Sequence, residues 1–156
     1  MTTEMKRRLF LKSSLAASTI GVAVGAGLLT PQAVLAAWKQ EAFAAKDVNE
    51  ALKALLGSDA TENSDAIDVK APDIAENGAV VPITVSTTIA GVKSIAVMAA
   101  ANPVPLIADF QLGEGAQAYV STRIKMGKTG DVIGVIKTAD KTFVNRKNVK
   151  VTIGGC

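Results

Sequence analysis

Residues 148–156 read NVKVTIGGC. Apolar and polar residues alternate through Val149-Lys150-Val151-Thr152-Ile153, the period-two pattern of a strand with one buried face. Gly154, Gly155 and Cys156 follow, and Cys156 is the only cysteine in the chain. One short stretch therefore joins a strand signature to a lone thiol on a two-glycine tether.

The same signature recurs upstream. AIDVKAP, AVVPITVSTT, VKSIAVMAAA, PLIADFQL, QAYVSTRIKM, DVIGVIKT and KTFVNR are short runs rich in Val, Ile and Thr. Turn formers separate them: Glu76-Asn77-Gly78, Ala90-Gly91, Asn102-Pro103, Gly113-Glu114-Gly115, Lys128-Thr129-Gly130 and Ala139-Asp140-Lys141. Seven or eight strands at this spacing predict a mainly β fold, an antiparallel β-sandwich. Pro82, inside one run, points to an edge strand or a bulge, because proline has no N–H for the ladder.

Before the strands, WKQEAFAAKDVNEALKALLGSD reads as helix, with a break near Lys46 that divides it into two short pieces. Val48, Ala51, Leu52, Leu55 and Leu56 repeat at helical spacing. Asp47 is the expected N-cap, Glu50 its capping-box partner and Gly57 the stop. Residues 58–64 read as a polar linker.

The N-terminal stretch belongs to export rather than to the fold. Lys6, Arg7, Arg8 and Lys12 precede an apolar run from about residue 15 to 29, and a small-residue region follows Pro31. That order is a secretory signal, with the expected cut after Ala36. The run is short and rich in Gly, Ser and Thr, which argues against a permanent membrane anchor. Arg7-Arg8-Leu9-Phe10-Leu11-Lys12 matches the twin-arginine pattern read by the Tat exporter. The expected organisation is a signal peptide at 1–36, a carrier domain of helix plus sandwich at 37–153 and a flexible arm at 154–156. About 120 residues can bury roughly two-thirds of their surface, enough for one core.

Charge divides unevenly along the chain. The 17 basic and 14 acidic residues become 13 of each once Lys6, Arg7, Arg8, Lys12 and Glu4 leave with the signal, so the basic balance does not argue for nucleic acid. Residues 37–119 carry a net −6, with five Lys against eleven Asp and Glu, while residues 120–156 carry a net +6, with eight basic residues against Asp131 and Asp140. The half that bears the thiol is cationic. Solvated strand faces explain this as well as attraction of an anion or acidic partner does.

Several chemistries lack their residues. With no histidine and one cysteine, Ser-His and Cys-His pairs have no base and a zinc or copper site has too few ligands. No phosphate-binding glycine loop is present; Gly113-Glu114-Gly115 reads as a turn. The carboxylates are dispersed, and Trp38 and Tyr119, each the sole residue of its kind, do not make a stacking platform. The expectation is a protein that is not an enzyme, with no cofactor and no metal. An odd cysteine in an exported protein implies an intermolecular bond or a reactive thiol. Gly154 and Gly155 keep the tether slim and conformationally free, and three extended residues reach roughly 10 Å. This suits a covalent carrier whose substrate is presented to other proteins. The alternative is an exported structural sandwich that dimerises through an intermolecular disulfide.

The sequence resembles the SoxY family, the sulfur-carrier subunits of the Sox thiosulfate-oxidising system. The resemblance is carried by Arg123-Ile124-Lys125-Met126, Asp131-Val132, Val149 to Cys156, the Asn102-Pro103 turn and the twin-arginine signal. It implies an immunoglobulin-like sandwich with a short N-terminal helical segment, located in the periplasm. It also implies a heterodimer with SoxZ, which lacks its own export signal. Cys156 corresponds to the cysteine that holds sulfur intermediates, and Gly154 and Gly155 to the flexible arm. Transient partners implied are SoxAX, SoxB and, in some organisms, a sulfane dehydrogenase. The family tail runs Gly-Gly-Cys-Gly-Gly, a pattern of which Cys156 is the last residue present in this sequence.

Overall fold

A computed structural model of the chain describes residues 39–153. Two short helices, α1 (Gln40–Ala44) and α2 (Val48–Leu56), precede nine strands. The strands are β1 (Glu62–Asn63), β2 (Ile67–Lys70), β3 (Ile74–Asn77), β4 (Val81–Thr87), β5 (Ser94–Ala99), β6 (Leu106–Gln111), β7 (Tyr119–Ile124), β8 (Gly130–Lys137) and β9 (Thr142–Ile153).

The helix breaks at Ala45 to Asp47, near the expected Lys46. Asp47 caps α2: its Oδ1 accepts from Asn49 N at 2.8 Å and Glu50 N at 3.3 Å. Glu50 reaches back one residue farther than a capping box requires, accepting from Lys46 N at 3.2 Å. Gly57 ends the helix at φ 82°, a left-handed conformation open to glycine. Ala51, Leu52 and Leu55 are buried, while Val48 and Leu56 are half-buried at the rim.

The strands form a six-stranded and a three-stranded sheet. The large one runs β1-β9-β8-β5-β6, with β3 added on β9; the small one runs β2-β4-β7. The core between them includes Ile67, Val85, Ile95, Val97, Val132, Ile136 and Val149. The helices cover the other face of the large sheet, where Leu52 and Leu55 meet Met98, Leu106, Ile133, Val135 and Val144. Strands β5 and β8 are thus covered on both faces and are apolar almost throughout, as such strands must be. At Gly134 of β8 an added Cβ would lie 2.9 Å from Val85 Cγ1 and 3.0 Å from Val69 Cγ2, so glycine lets the sheets close there.

Four features depart from the sequence reading. KTFVNR and NVKVTI are one strand, β9, of 12 residues. The alternation breaks mid-strand because Val144 faces the helices whereas Val149 faces the small sheet. The polar linker contains β1, and β3 extends into Asn77; both pair in parallel with β9, so the otherwise antiparallel sandwich has two short parallel additions. Pro82 lies in the central strand of the small sheet, opposite Arg123 of β7. β2 pairs with β4 only from Thr84 onward, so Pro82 still has a single neighbouring strand.

Candidate functional site

Cys156, Gly154, Gly155 and the export residues Arg7 and Arg8 lie outside the described residues. What the structure describes is the platform from which residues 154–156 depart. It is built at one pole of the sandwich, called the tail pole below, by the end of β9 and the loops joining β3–β4, β5–β6 and β7–β8.

Strand β9 outruns its neighbour. Its pairing with β8 ends at Val149 opposite Gly130, and its last residues pair with β3 instead. Lys150 N donates to Asp73 O at 3.0 Å, while Val151 N donates to Thr129 Oγ1 at 2.9 Å. Adjacent amides of a strand point to opposite sides, so both edges of this overhang are occupied. Side chains alternate likewise. Val149 is fully buried, Val151 half-buried and Ile153 69% exposed: the core-facing row runs out of the sandwich just before Gly154. The opposite row, Arg146, Asn148, Lys150 and Thr152, faces solvent.

The end of β9 is held by a chain of backbone bonds. Gly78 N donates to Ile153 O at 2.7 Å, and Met126 N donates to Gly78 O at 2.7 Å. Asn102 continues the chain, its Nδ2 donating to Lys125 O at 2.8 Å and its Oδ1 accepting from Gly127 N at 2.9 Å. Thr152 Oγ1 donates to Glu76 O at 2.9 Å. The last described carbonyl, that of Ile153, is therefore fixed relative to three loops. At roughly 1 kcal/mol net per bond, this lattice can hold a strand end that, among the described residues, has only the short β3 beside it.

Two acidic side chains are engaged beside it. Asp131 Oδ1 accepts from Asn148 Nδ2 at 2.7 Å. Lys147 bonds Asp73, and that hydrogen bond, helped by the ammonium charge, holds the Asp73 carboxyl below its ordinary range. The described surface grooves lie at the other end of the sandwich. One is lined by Ile89, Val92, Leu112 and Ala116, another by Ala60, Glu62, Thr138 and Lys141. Gly113-Glu114-Gly115 is a turn there, closed by Ala116 N on Gly113 O at 3.2 Å. Among the described residues no group of three metal-ligating side chains occurs, and no helix is long and apolar enough to cross a membrane.

The motifs that carry the family resemblance converge. Arg123 to Met126, Asn102-Pro103, Asp131-Val132 and the end of β9 are far apart in sequence and share the tail pole. The sequence marked Asn77-Gly78, Asn102 and Thr129 only as turn formers. Their role in fixing β9 is carried by long-range backbone bonds, which leave no local signature.

The fold and this pole define a class: an immunoglobulin-like sandwich whose last described strand is held at its end, directly before the residues that include the lone cysteine. The family model for the sulfur oxidation protein SoxY matches residues 52–156. The sulfur carrier protein SoxY from Chlorobium limicola f thiosulfatophilum is 39% identical, over 69% of this chain and 97% of that one, with a TM-score of 0.63. The chain belongs to the SoxY family. A superoxide reductase (neelaredoxin) from Ignicoccus hospitalis, 16% identical over 55% of this chain and 79% of its own with a TM-score of 0.50, shares the fold alone. No curated protein sequence matches the chain.

Proposed function

We propose that this protein is a periplasmic sulfur carrier that holds intermediates of thiosulfate oxidation covalently on Cys156. The carrying observation is the tail pole: the strand before the cysteine is clamped to Ile153, so residues 154–156 begin from a defined point. Gly154 and Gly155 then serve as the joint. The sandwich is the handle, and partner proteins supply the chemistry.

In this scheme the Cys156 thiolate joins the outer sulfur of thiosulfate as two electrons pass to a cytochrome-type partner, SoxAX. The product is a cysteine S-thiosulfonate. Water then attacks the terminal sulfonate in SoxB, which releases sulfate and one proton and leaves a persulfide, S–SH, on Cys156. A sulfane dehydrogenase, where present, oxidises that remaining sulfur. Only a thiol serves here, because its sulfur ionises near neutral pH and forms sulfur–sulfur bonds. Export through the twin-arginine route by Arg7 and Arg8 would carry SoxZ along as a folded heterodimer.

The test is Cys156→Ser. The variant folds and is exported normally, since the core ends before this residue. Thiosulfate-dependent oxidation by the reconstituted partners falls to background. Undiminished oxidation with the serine variant contradicts the proposal.

A further inference from the structure

We propose that Lys128 and Lys150 form a steering site at the tail pole for a sulfur oxyanion approaching Cys156 or already attached to it. The proposal takes its ligand class from the carrier reading, but its geometry stands on its own. Lys128 precedes Thr129, whose Oγ1 accepts from Val151 N at 2.9 Å. Lys150 projects from the solvent-facing row of β9, three residues before Ile153. Both side chains are exposed, and neither has an ion-pair partner among the described residues. Lys125 stands next to Met126, whose N–H holds the Gly78 carbonyl, and Arg146 continues the row of Lys150.

The carboxylates at the same pole are Glu76, Asp73 and Asp131. Asp73 is taken by Lys147, and Asp131 accepts from Asn148. Asp131 and Glu76 keep their charges, but Lys125, Lys128, Arg146, Lys147 and Lys150 outnumber the three carboxylates, so the local balance is positive. The far pole is nearer to balance: Asp59, Glu62, Glu114 and Asp140 stand among its loops with Lys53, Lys93, Lys137 and Lys141, of which Lys53 and Lys141 are bound to Asp59 and Glu62.

Reach makes this charge relevant. Three residues cannot carry the Cys156 backbone more than about 10 Å from Ile153, whatever path they take. Lys150 lies three strand residues, about 10 Å, behind Ile153, so an extended tail puts the sulfur about 20 Å from it, within the field at low ionic strength but beyond the Debye length of about 10 Å at 0.1 M salt unless the tail folds back. Thiosulfate is a dianion, and once joined to sulfur it keeps the sulfonate charge. Positive charge draws in the first, holds the second and favours the attacking thiolate. Lysine suits a ligand that must leave again, because its ammonium is a hydrated point charge rather than a rigid two-pronged clamp.

The experiment uses the exported full-length protein and two thiol probes of opposite character, the dianionic dithiobis(nitrobenzoate) and a neutral dipyridyl disulfide. With either probe the Cys156 thiolate displaces one aryl thiolate and forms a mixed disulfide, its proton having gone to solvent. The ratio of the two rates cancels changes in thiol ionisation and exposure. Lys128→Glu with Lys150→Glu should lower the anionic-to-neutral ratio about tenfold at about 20 mM salt and little at about 500 mM. Lys128→Gln with Lys150→Gln should give a smaller fall in the same direction. Lys93→Glu with Lys137→Glu makes the same change in net charge at the far pole and should leave the ratio within about twofold. An unchanged ratio in the tail-pole variant, or an equal fall in both, overturns the proposal. Absence of any sulfur adduct in the native protein would instead strike the carrier reading and leave this ratio as it is.

Discussion

The two poles of the sandwich are built from the same kinds of turn and are used differently. At the far pole closed turns combine with bonds between loops: Thr138 Oγ1 donates to Lys141 O and accepts from Lys141 N, both at 3.1 Å, Gly91 and Gly115 take positive φ, and Leu112 N donates to Lys93 O at 2.9 Å. Open grooves remain between these turns. At the tail pole the bonds made by Gly78, Asn102 and Thr129 converge on the end of β9. The difference shows what a fixed point of departure needs: Ile153, the last residue before Gly154, is held by neighbours distant in sequence.

The sharpest way to break this contrast is Gly130→Ala. An added Cβ would lie 2.6 Å from Ala101 Cβ and 3.4 Å from Ala101 N. A neighbouring Cβ is not the far end of a flexible side chain, so the β5–β6 loop must shift and take Asn102 away from Lys125 and Gly127. Overpacking of this kind costs about 1–3 kcal/mol, measurable by urea unfolding. Processing of the carried sulfur by partner proteins should fall as well.

Gly115→Ala sharpens the contrast from the other side. Nothing lies within 4 Å of the added Cβ, but φ is 77°, so the cost of about 1 kcal/mol is conformational. It should leave loading of Cys156 unchanged. Gly113→Ala, with open space and no positive φ, is the matched control and should be close to neutral in the same urea titration.

The smallest effect concerns Lys147→Met, which keeps the aliphatic stem and removes the charge beside Asp73. The folded Asp73 carboxyl titrates below its ordinary value of 3.8 because Lys147 hydrogen-bonds it. A depressed acid contributes stability that is present above the unfolded value and is lost as pH falls through the folded one. The wild type should therefore exceed the variant slightly in Tm at neutral pH. The gap should shrink as pH drops below 3.8, and a gap that widens in acid contradicts the assignment.

Much of this fold was legible because its signals are local. Asp47 and Gly57 bracket α2, and Val149-Lys150-Val151-Thr152-Ile153 alternates as a strand must. The signal faded where partners are distant. Glu62-Asn63 and Glu76-Asn77 are exposed and polar, so nothing in their composition announces pairing with β9. Continuity of β9 was hidden because its apolar face changes at Arg146 to Asn148, where it leaves the cover of the helices. The lone cysteine and its glycines were conspicuous in sequence, whereas the clamp behind them uses mostly backbone groups that any residue possesses.

In the proposed cycle sulfur resides on Cys156 during turnover. Protein purified from cells oxidising thiosulfate, cleaved and weighed peptide by peptide, tests it most directly. The C-terminal peptide should carry reductant-labile additions that match a thiosulfonate or extra sulfur atoms, while every other peptide stays unmodified. A C-terminal peptide that remains a plain thiol throughout turnover, or that shows only a disulfide to a second copy of itself, would contradict the account.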